Sequence, residues 1–414
     1  MTQRPDTTLV DSAYAARMQA PPTTMPAPGM EGPVHASQPV VTAHGHGFRW
    51  LHEADTAYAA MEQLVAASRT SLDLEFYIFT RGEVTGRLVE AMAQAARRGV
   101  RVRVLLDAYG SGGQGDGWLE PLATAGAELR WFNPRRLLRY TCRDHRKLVV
   151  ADGSQAIVGG FNVADEYAGD GITSGWRDLG LWLEGPVASA LQASFARLFE
   201  AAALGRRDWL RLLRAVRHGH EARGDVQLLL GGPGRPHSHM RRVLYADLGR
   251  AARIDIMAGY FVPNGRIRRV LRRRARSDSV RVLAAGVTDV TLAQMAGRSL
   301  YPMLLRAGAR VYEYQPQVLH AKALLVDDVV YVGSANLDAR SLQLNFELML
   351  RIRDPALAAQ LRARFEADLA HSTPVQPAWV AQWGLARRLL QWLARQVVSR
   401  LDRWIALGAL RRLL

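Results

Sequence analysis

The sequence predicts an α/β protein built from two similar lobes about a pseudo-twofold axis. Strand-like and helix-like segments alternate along the chain, and the same alternation occurs twice. Each round contains one short motif with the same residues at the same spacing. The repeat is too long for a solenoid and reads as a duplicated domain. The 414 residues, 49% apolar, suffice for a sizeable core.

The first 45 residues lack a continuous apolar run and are rich in Pro, Thr and small residues, as in Ala20-Pro21-Pro22-Thr23-Thr24. They read as a disordered tail. Lobe 1 spans 46–205. Its strands are Leu72–Phe79, Val100–Leu106 and Ala125–Phe132, with a helix at Gly86–Arg98. Residues 206–224, rich in Arg and poor in strand pattern, form a connector. Lobe 2 spans 225–370 and repeats the order: strand Ile254–Val262, helix Asn264–Arg276, strand Val280–Leu283 and strand Ala307–Tyr314. Each lobe ends in a helix opened by a proline, Pro186 or Pro355. The alternation predicts largely parallel pairing.

Residues 371–414 predict a basic amphipathic C-terminal helix. Leu389, Leu390, Trp392, Leu393, Val397 and Leu401 recur at three- and four-residue spacings, with Arg387, Arg388, Arg395 and Arg400 between them. Such a helix either lies in a lipid interface or docks on the body with its arginines solvated. No signal peptide and no run of about 20 apolar residues is visible, so a soluble or peripheral protein is expected.

Lys and Arg total 54 against 38 Asp and Glu, a net charge of +16. That excess points to an anionic partner: nucleic acid, phosphate ester or acidic lipid. One cysteine, Cys142, excludes a disulfide scaffold and a cysteine-rich zinc site, and it reads as a small packed residue. The histidine pairs His218/His220 and His237/His239 have a metal-compatible spacing, but the first sits in the connector and no metal or cofactor is expected.

Only two of the 54 basic residues are lysines, Lys147 and Lys322. Both stand in the same surroundings. His145-Arg-Lys147-Leu-Val-Val-Ala-Asp152 is followed by Gly159-Gly160-Phe-Asn162. His320-Ala-Lys322-Ala-Leu-Leu-Val-Asp327 is followed by Gly333-Ser334-Ala-Asn336. With Lys this scarce, chance placement of both is of order a few in a million. On an extended chain residues two apart share a face, so His and Lys project together. Asp152 and Asp327 lie at an odd offset and point the other way, to a turn or an ion pair beneath the site. A short hairpin returns each Asn towards its His–Lys pair.

Two His, two Lys and two Asn facing one another make a phosphodiester site without a metal. Lys supplies compact positive charge and Asn neutral donors for the non-bridging oxygens. One neutral His attacks phosphorus; the other, protonated, serves the leaving alcohol and then activates the second nucleophile. Each needs a carboxylate to fix its tautomer, and Asp178 and Glu347 are the candidates. The full candidate set is His145, Lys147, Asp152, His320, Lys322 and Asp327 as catalytic motif residues, Asn162, Asn336 and Ser334 for the phosphate, and Asp178 and Glu347 for the histidines.

The duplicated H-x-K-x4-D segments resemble the signature of the phospholipase D superfamily. Within it, Gly159-Gly160-Phe-Asn162, the run Gly333–Ser341 with Asn345 and Glu347, Tyr301–Gly308 and Val311–Tyr314 resemble bacterial cardiolipin synthases. The resemblance covers about 47–370. It implies two lobes with mixed sheets flanked by helices, sharing one active site in a pseudo-dimeric monomer. It implies transfer through a phosphatidyl-histidine, two phosphatidylglycerol molecules giving cardiolipin and glycerol. It implies an anionic phospholipid membrane as partner, no nucleic acid, and a peripheral place on the cytoplasmic face of the bacterial inner membrane. The run Pro134–Tyr140, absent from the second copy, suggests a lip over the lipid entrance. A hydrolase or nuclease using the same histidines, and a non-catalytic basic module, are the competing readings.

Overall fold

Two eight-stranded mixed sheets carry the fold of the computed structural model, which describes residues 39–112, 117–133, 142–202, 224–233, 238–276 and 279–401. In lobe 1 the strands are β1 (Val41–Ala43), β2 (His46–Leu51), β3 (Ser71–Phe76), β4 (Arg101–Asp107), β5 (Glu128–Phe132), β6 (Leu148–Ala151), β7 (Gln155–Gly159) and β8 (Gly180–Glu184). They lie in the order β1-β2-β8-β7-β6-β3-β4-β5. The helices are α1 (Ala54–Ala67), α2 (Glu83–Arg97), α3 (Glu120–Thr124) and α4 (Pro186–Ala202).

Lobe 2 repeats this plan. Its strands are β9 (Val226–Gly231), β10 (Ile254–Ala258), β11 (Val280–Val287), β12 (Arg310–Val318), β13 (Lys322–Val326), β14 (Val329–Gly333), β15 (Glu347–Arg353) and β16 (Ser372–Pro374). Their order is β16-β12-β11-β10-β13-β14-β15-β9. The helices are α5 (His239–Arg250), α6 (Gly265–Arg274), α7 (Thr291–Arg298), α8 (Tyr301–Arg306), α9 (Ala339–Gln343), α10 (Pro355–Ala370), α11 (Pro377–Ala381) and α12 (Leu385–Gln396), which runs into a π turn at Val397–Leu401.

Pairing is more antiparallel than the alternation suggests. Among the described strands only β3-β4-β5 and β10-β11-β12 pair in parallel. These are the strands joined by helical crossovers. The motif strands return through tight turns instead, β6 to β7 across Asp152-Gly153-Ser154 and β13 to β14 across Asp327-Asp328, and short turns link only antiparallel neighbours.

Three further expectations are corrected. Residues 41–45 do not belong to a disordered tail, because β1 pairs with β2 through a two-residue turn with positive φ at both His44 and Gly45. The C-terminal region is not helical from 371, since Ser372–Pro374 adds an edge strand to β12. Asp152 and Asp327 do not join a catalytic set. Each sits past the far end of its motif strand with positive φ, and its carboxylate accepts backbone N–H bonds: from Arg69, Thr70 and Ser71, or from Ala252 and Arg253. These aspartates close the turn leading into β3 and β10, as Asp side chains tolerate that backbone region. The connector through 223, the run Pro134–Tyr140, the tail through 38, His218, His220, His237 and residues 402–414 lie outside the described residues.

Each sheet buries both faces. The outer face of sheet 1 packs against α1 and α2, and that of sheet 2 against α5 and α6. Between the sheets one core spans both lobes, with Phe195 and Phe199 of α4 and Leu361 and Phe365 of α10 in it. Cys142 lies in this core. The shared core explains why the lobes form a unit: neither inner face is covered without the other.

Both lobes carry a matching buried pair. Arg103 grips Asp73 with Nε and Nη2 at 2.7 and 2.9 Å, and Arg281 grips Asp255 the same way at 2.6 and 2.9 Å. One cluster is not duplicated. In lobe 1, Arg146 Nη2 donates to Glu75 at 2.7 Å, and burial pushes Asp144 beside them well up. The registers of β3 with β6 and β10 with β13 make Met257, Leu319 and Ala321 their equivalents, an apolar trio in the shared core. The fold therefore accommodates either solution. Arg146→Ala alone should cost about 3–5 kcal/mol in denaturant unfolding, because it leaves a buried carboxylate unpaired. The triple change Glu75→Met, Asp144→Leu, Arg146→Ala should recover most of that loss; a triple variant less stable than the single would refute the equivalence.

Candidate active site

Both histidines lie just before a motif strand, where the extended chain alternates sides. His145 and Lys147 share one side while Arg146 points back to Glu75. All four His and Lys side chains are buried. Lys147 Nζ donates to the carbonyl of His145 at 2.6 Å, and Lys322 Nζ donates to that of His320. Each ammonium is thus folded back beside its own histidine.

Each histidine is held by the opposite lobe. His145 N donates to Phe346 O at 3.0 Å and Phe346 N to Arg143 O at 2.8 Å. In the pseudo-symmetric position, His320 N donates to Arg177 O at 2.7 Å and Arg177 N to Val318 O at 2.8 Å. The residues that follow Arg177 and Phe346 are the two carboxylates. His320 Nδ1 donates to Asp178 Oδ2 at 2.6 Å; His145 Nδ1 lies 3.2 Å from Glu347 Oε2 and 3.1 Å from Ser334 O. These neighbours place the proton on Nδ1 and leave each Nε2 for chemistry. Arg177 also makes a buried ion pair with Asp368 of α10, Nε to Oδ1 3.2 Å, across the same interface.

Asp178 and Glu347 are equivalents, each two residues before the partner of a hairpin glycine. Their surroundings differ. Burial raises Asp178, but Lys322, His320 and the N–H of Leu179 outweigh it, and it stays below the usual range. Burial pushes Glu347 up to about 7, against the pull of Lys147 and of Ser334. Burial also lowers both histidines; Lys147 and Lys322 push His145 well down, while Asp178 partly offsets the fall at His320. Burial together with Lys322 pushes Lys147 down to about 7; burial pushes Lys322 down to about 8.

Asn162 and Asn336 differ. Asn162 Oδ1 accepts from Ile78 N at 3.1 Å and its amide donates to Tyr167 OH at 2.6 Å, leaving one amide hydrogen. Asn336 Oδ1 is buried with no protein partner. Ser334 is corrected from a phosphate contact: its hydroxyl donates to Glu347 at 2.5 Å and accepts from Leu348 N at 3.0 Å, so it has no hydrogen left to offer. Sequence reasoning missed the aromatic wall. Tyr167, Trp176 and Tyr260 pack around the His320 ring, and Tyr77 packs on His145 at 4.8 Å. None of them repeats between lobes, so the duplication carried no trace of them. Tyr260 OH donates to the exposed carboxylate of Asp289 at 2.7 Å, and Arg143 Nη1 donates to Tyr77 OH at 2.9 Å.

Two carboxylate-held imidazoles and two lysines in one pocket, between duplicated mixed sheets, define a phosphodiester-processing enzyme of the phospholipase D superfamily. A profile described as "Cardiolipin synthase, PLD-like domain" matches residues 61–199 and 245–369. The chain is 32% identical over 361 residues to "Cardiolipin synthase 1" of Bacillus anthracis, covering 84% of this chain and 71% of that one. It is 33% identical over 359 residues to "Cardiolipin synthase" of Geobacillus sp. (strain WCH70), covering 82% and 69%. A crystal structure of phosphatidylserine synthase from Haemophilus influenzae Rd KW20 superposes with a TM-score of 0.70 at 13% identity, over 89% of this chain and 96% of that one, a likeness of fold. The chain belongs to the cardiolipin synthase family of phospholipase D-like proteins, enzymes that transfer phosphatidyl groups. No helix among the described residues is long and apolar enough to cross a membrane.

The lowered lysines predict a pH effect on anion binding. Each gains its proton as pH falls through about 8 and about 7, and the protonated form attracts an anion. Binding of tungstate, followed by calorimetry, should weaken about tenfold or more from about pH 6 to about pH 9. Unchanged affinity across that range would show that the lysines do not carry the anion.

Proposed function

We propose that the protein transfers a phosphatidyl group from one phosphatidylglycerol to another, releasing glycerol and giving cardiolipin through a phosphatidyl-histidine. The observation that carries this reading is the pair of buried imidazoles, each fixed through Nδ1 by a carboxylate of the opposite lobe. One site with two oriented histidines suits a double displacement, in which one forms the covalent bond and the other moves the proton.

The unequal carboxylates support one assignment of the roles. His145 shares its Nδ1 proton between a neutral carbonyl and Glu347, whose affinity for a proton is raised. It stays neutral, and its Nε2 lone pair attacks phosphorus. His320 faces the ionised Asp178 at 2.6 Å and best supports an imidazolium. In the first half, an N–P bond forms at His145, the P–O bond to glycerol breaks, and the glycerol oxygen takes the Nε2 proton of His320. In the second, the glycerol hydroxyl of another phosphatidylglycerol returns a proton to His320. Its oxygen bonds phosphorus, and the N–P bond breaks. Lys147, Lys322 and the amides of Asn162 and Asn336 balance charge on the non-bridging oxygens.

With phosphatidylglycerol vesicles, the enzyme should yield cardiolipin and glycerol. His145→Ala should carry no lipid adduct by mass spectrometry. His320→Asn should slow turnover about 10²–10⁴-fold, as expected for loss of a general acid, and let an adduct on His145 accumulate. An adduct mapped to His320 would reverse the assignment. Phosphatidic acid as sole product would make the protein a hydrolase.

A further inference from the structure

The C-terminal helix is docked the opposite way from a soluble amphipathic helix. α12 packs on α7 through Gln391 and Ala394, each 3% exposed, with Val262, Ala296 and Met295 beneath. Its apolar residues face outward: Leu385 is 84% exposed and Leu389 58%, and Leu390, Trp392, Leu393 and Val397 continue the stripe. A helix normally buries such a stripe and solvates its polar edge. Here the polar and small edge is buried and the leucine–tryptophan face has no protein cover among the described residues.

The surface continues towards the active site. Val287, Val290 and Leu292, at the end of β11 and the start of α7, are also exposed. Asp289 lies between them, and its carboxylate holds Tyr260, which flanks His320. Asp289 and Tyr260 thus connect this apolar surface to the active site.

Charge names the occupant. From 371 to 401 the chain has four arginines and no Asp or Glu. Arg387, Arg388 and Arg400 are exposed along the helix, and cations beside an apolar stripe suit phosphate headgroups above acyl chains. A second copy would bring like charge to the same face and meet repulsion.

We propose that the outward face of α12, with the adjoining end of α7, docks on an anionic lipid bilayer, the Leu385–Val397 stripe entering the leaflet and Arg387, Arg388 and Arg400 meeting its phosphates. This deepens the lipid reading of the site, on which it rests for its substrate, and it presents the pocket mouth to the membrane plane.

The test uses the full chain and the variant Leu389→Gln/Trp392→Gln/Leu393→Gln. These side chains are exposed, so thermal unfolding should match the parent. Co-sedimentation with vesicles of phosphatidylglycerol and phosphatidylcholine should weaken about tenfold or more, and turnover on those vesicles should fall in step. Turnover on monomeric short-chain phosphatidylglycerol should stay within about twofold, because the pocket is untouched. Arg387→Gln/Arg388→Gln/Arg400→Gln should remove the preference for phosphatidylglycerol over pure phosphatidylcholine vesicles. Parent-like sedimentation of the apolar variant would overturn the proposal. So would unchanged lipid binding with loss of self-association, which would make a second copy the occupant. If the parent turns over no lipid at all, the catalytic reading fails, while sedimentation still decides the docking face.

Discussion

The hydrogen bonds that cross between the lobes at each histidine are the constraint on which the active site depends. Neither lobe contains a complete catalytic histidine. Lobe 1 supplies His145 but borrows Glu347, and lobe 2 supplies His320 but borrows Asp178. The backbone enforces the exchange, since a two-residue parallel bridge sets each carboxylate beside the opposite histidine. The inter-lobe core holds those bridges in register. A small shift between the sheets would therefore change two tautomer-fixing bonds at once. Close packing resists such shifts, and the geometry is set before any substrate arrives.

The two half-sites share one plan, and two side-chain differences make their carboxylates unequal. Where lobe 2 has Ser334, lobe 1 has Gly160. A Cβ at Gly160 would lie 2.0 Å from Asp178 Oδ1, so only glycine lets the short carboxylate sit there. The longer Glu347 leaves room for the serine, whose hydroxyl occupies the oxygen that also faces His145. One carboxylate is thus kept ionised at 2.6 Å from its histidine, and the other is diluted by a hydroxyl and a carbonyl. Two groups of one type, pushed apart in proton affinity by their surroundings, are what acid and base roles in one site require. The macroscopic titration belongs to the cluster, because both histidines and both lysines feel one another.

The motif residues were legible because two lysines in so arginine-rich a chain mark their own places, and because period-two geometry puts His and Lys on one side. Asp178 and Glu347 were legible from the need of an imidazole nucleophile for a carboxylate that fixes its tautomer. The direction of pairing was not: helix–strand alternation reports crossovers, and it hides the hairpins that follow each motif. The buried Glu75–Asp144–Arg146 cluster was equally hidden, since its counterparts Met257, Leu319 and Ala321 look like ordinary core and break the repeat. Ser334 was misread because its position beside a conspicuous Asn suggests a phosphate contact, while its actual partner is 13 residues away in sequence. The seven-residue offset of Asp152 and Asp327 did separate them from the histidines, and the turns they close agree with that parity.

Charge balance links the pocket to its lipid. Burial, with Lys322 beside it, depresses Lys147 to about 7, and Glu347 and Asp178 are the main charges that oppose the fall. A phosphodiester anion entering the pocket supplies the missing negative charge, so lysine protonation and substrate binding favour each other. Water brings no such charge and gains nothing from the lysines. The same preference extends outward, because the segment 371–401 carries four arginines and no carboxylate along exposed leucines. A substrate that is anionic at its head and apolar in its tails matches both features at once; a soluble phosphate ester matches the first alone, and a neutral lipid only the second.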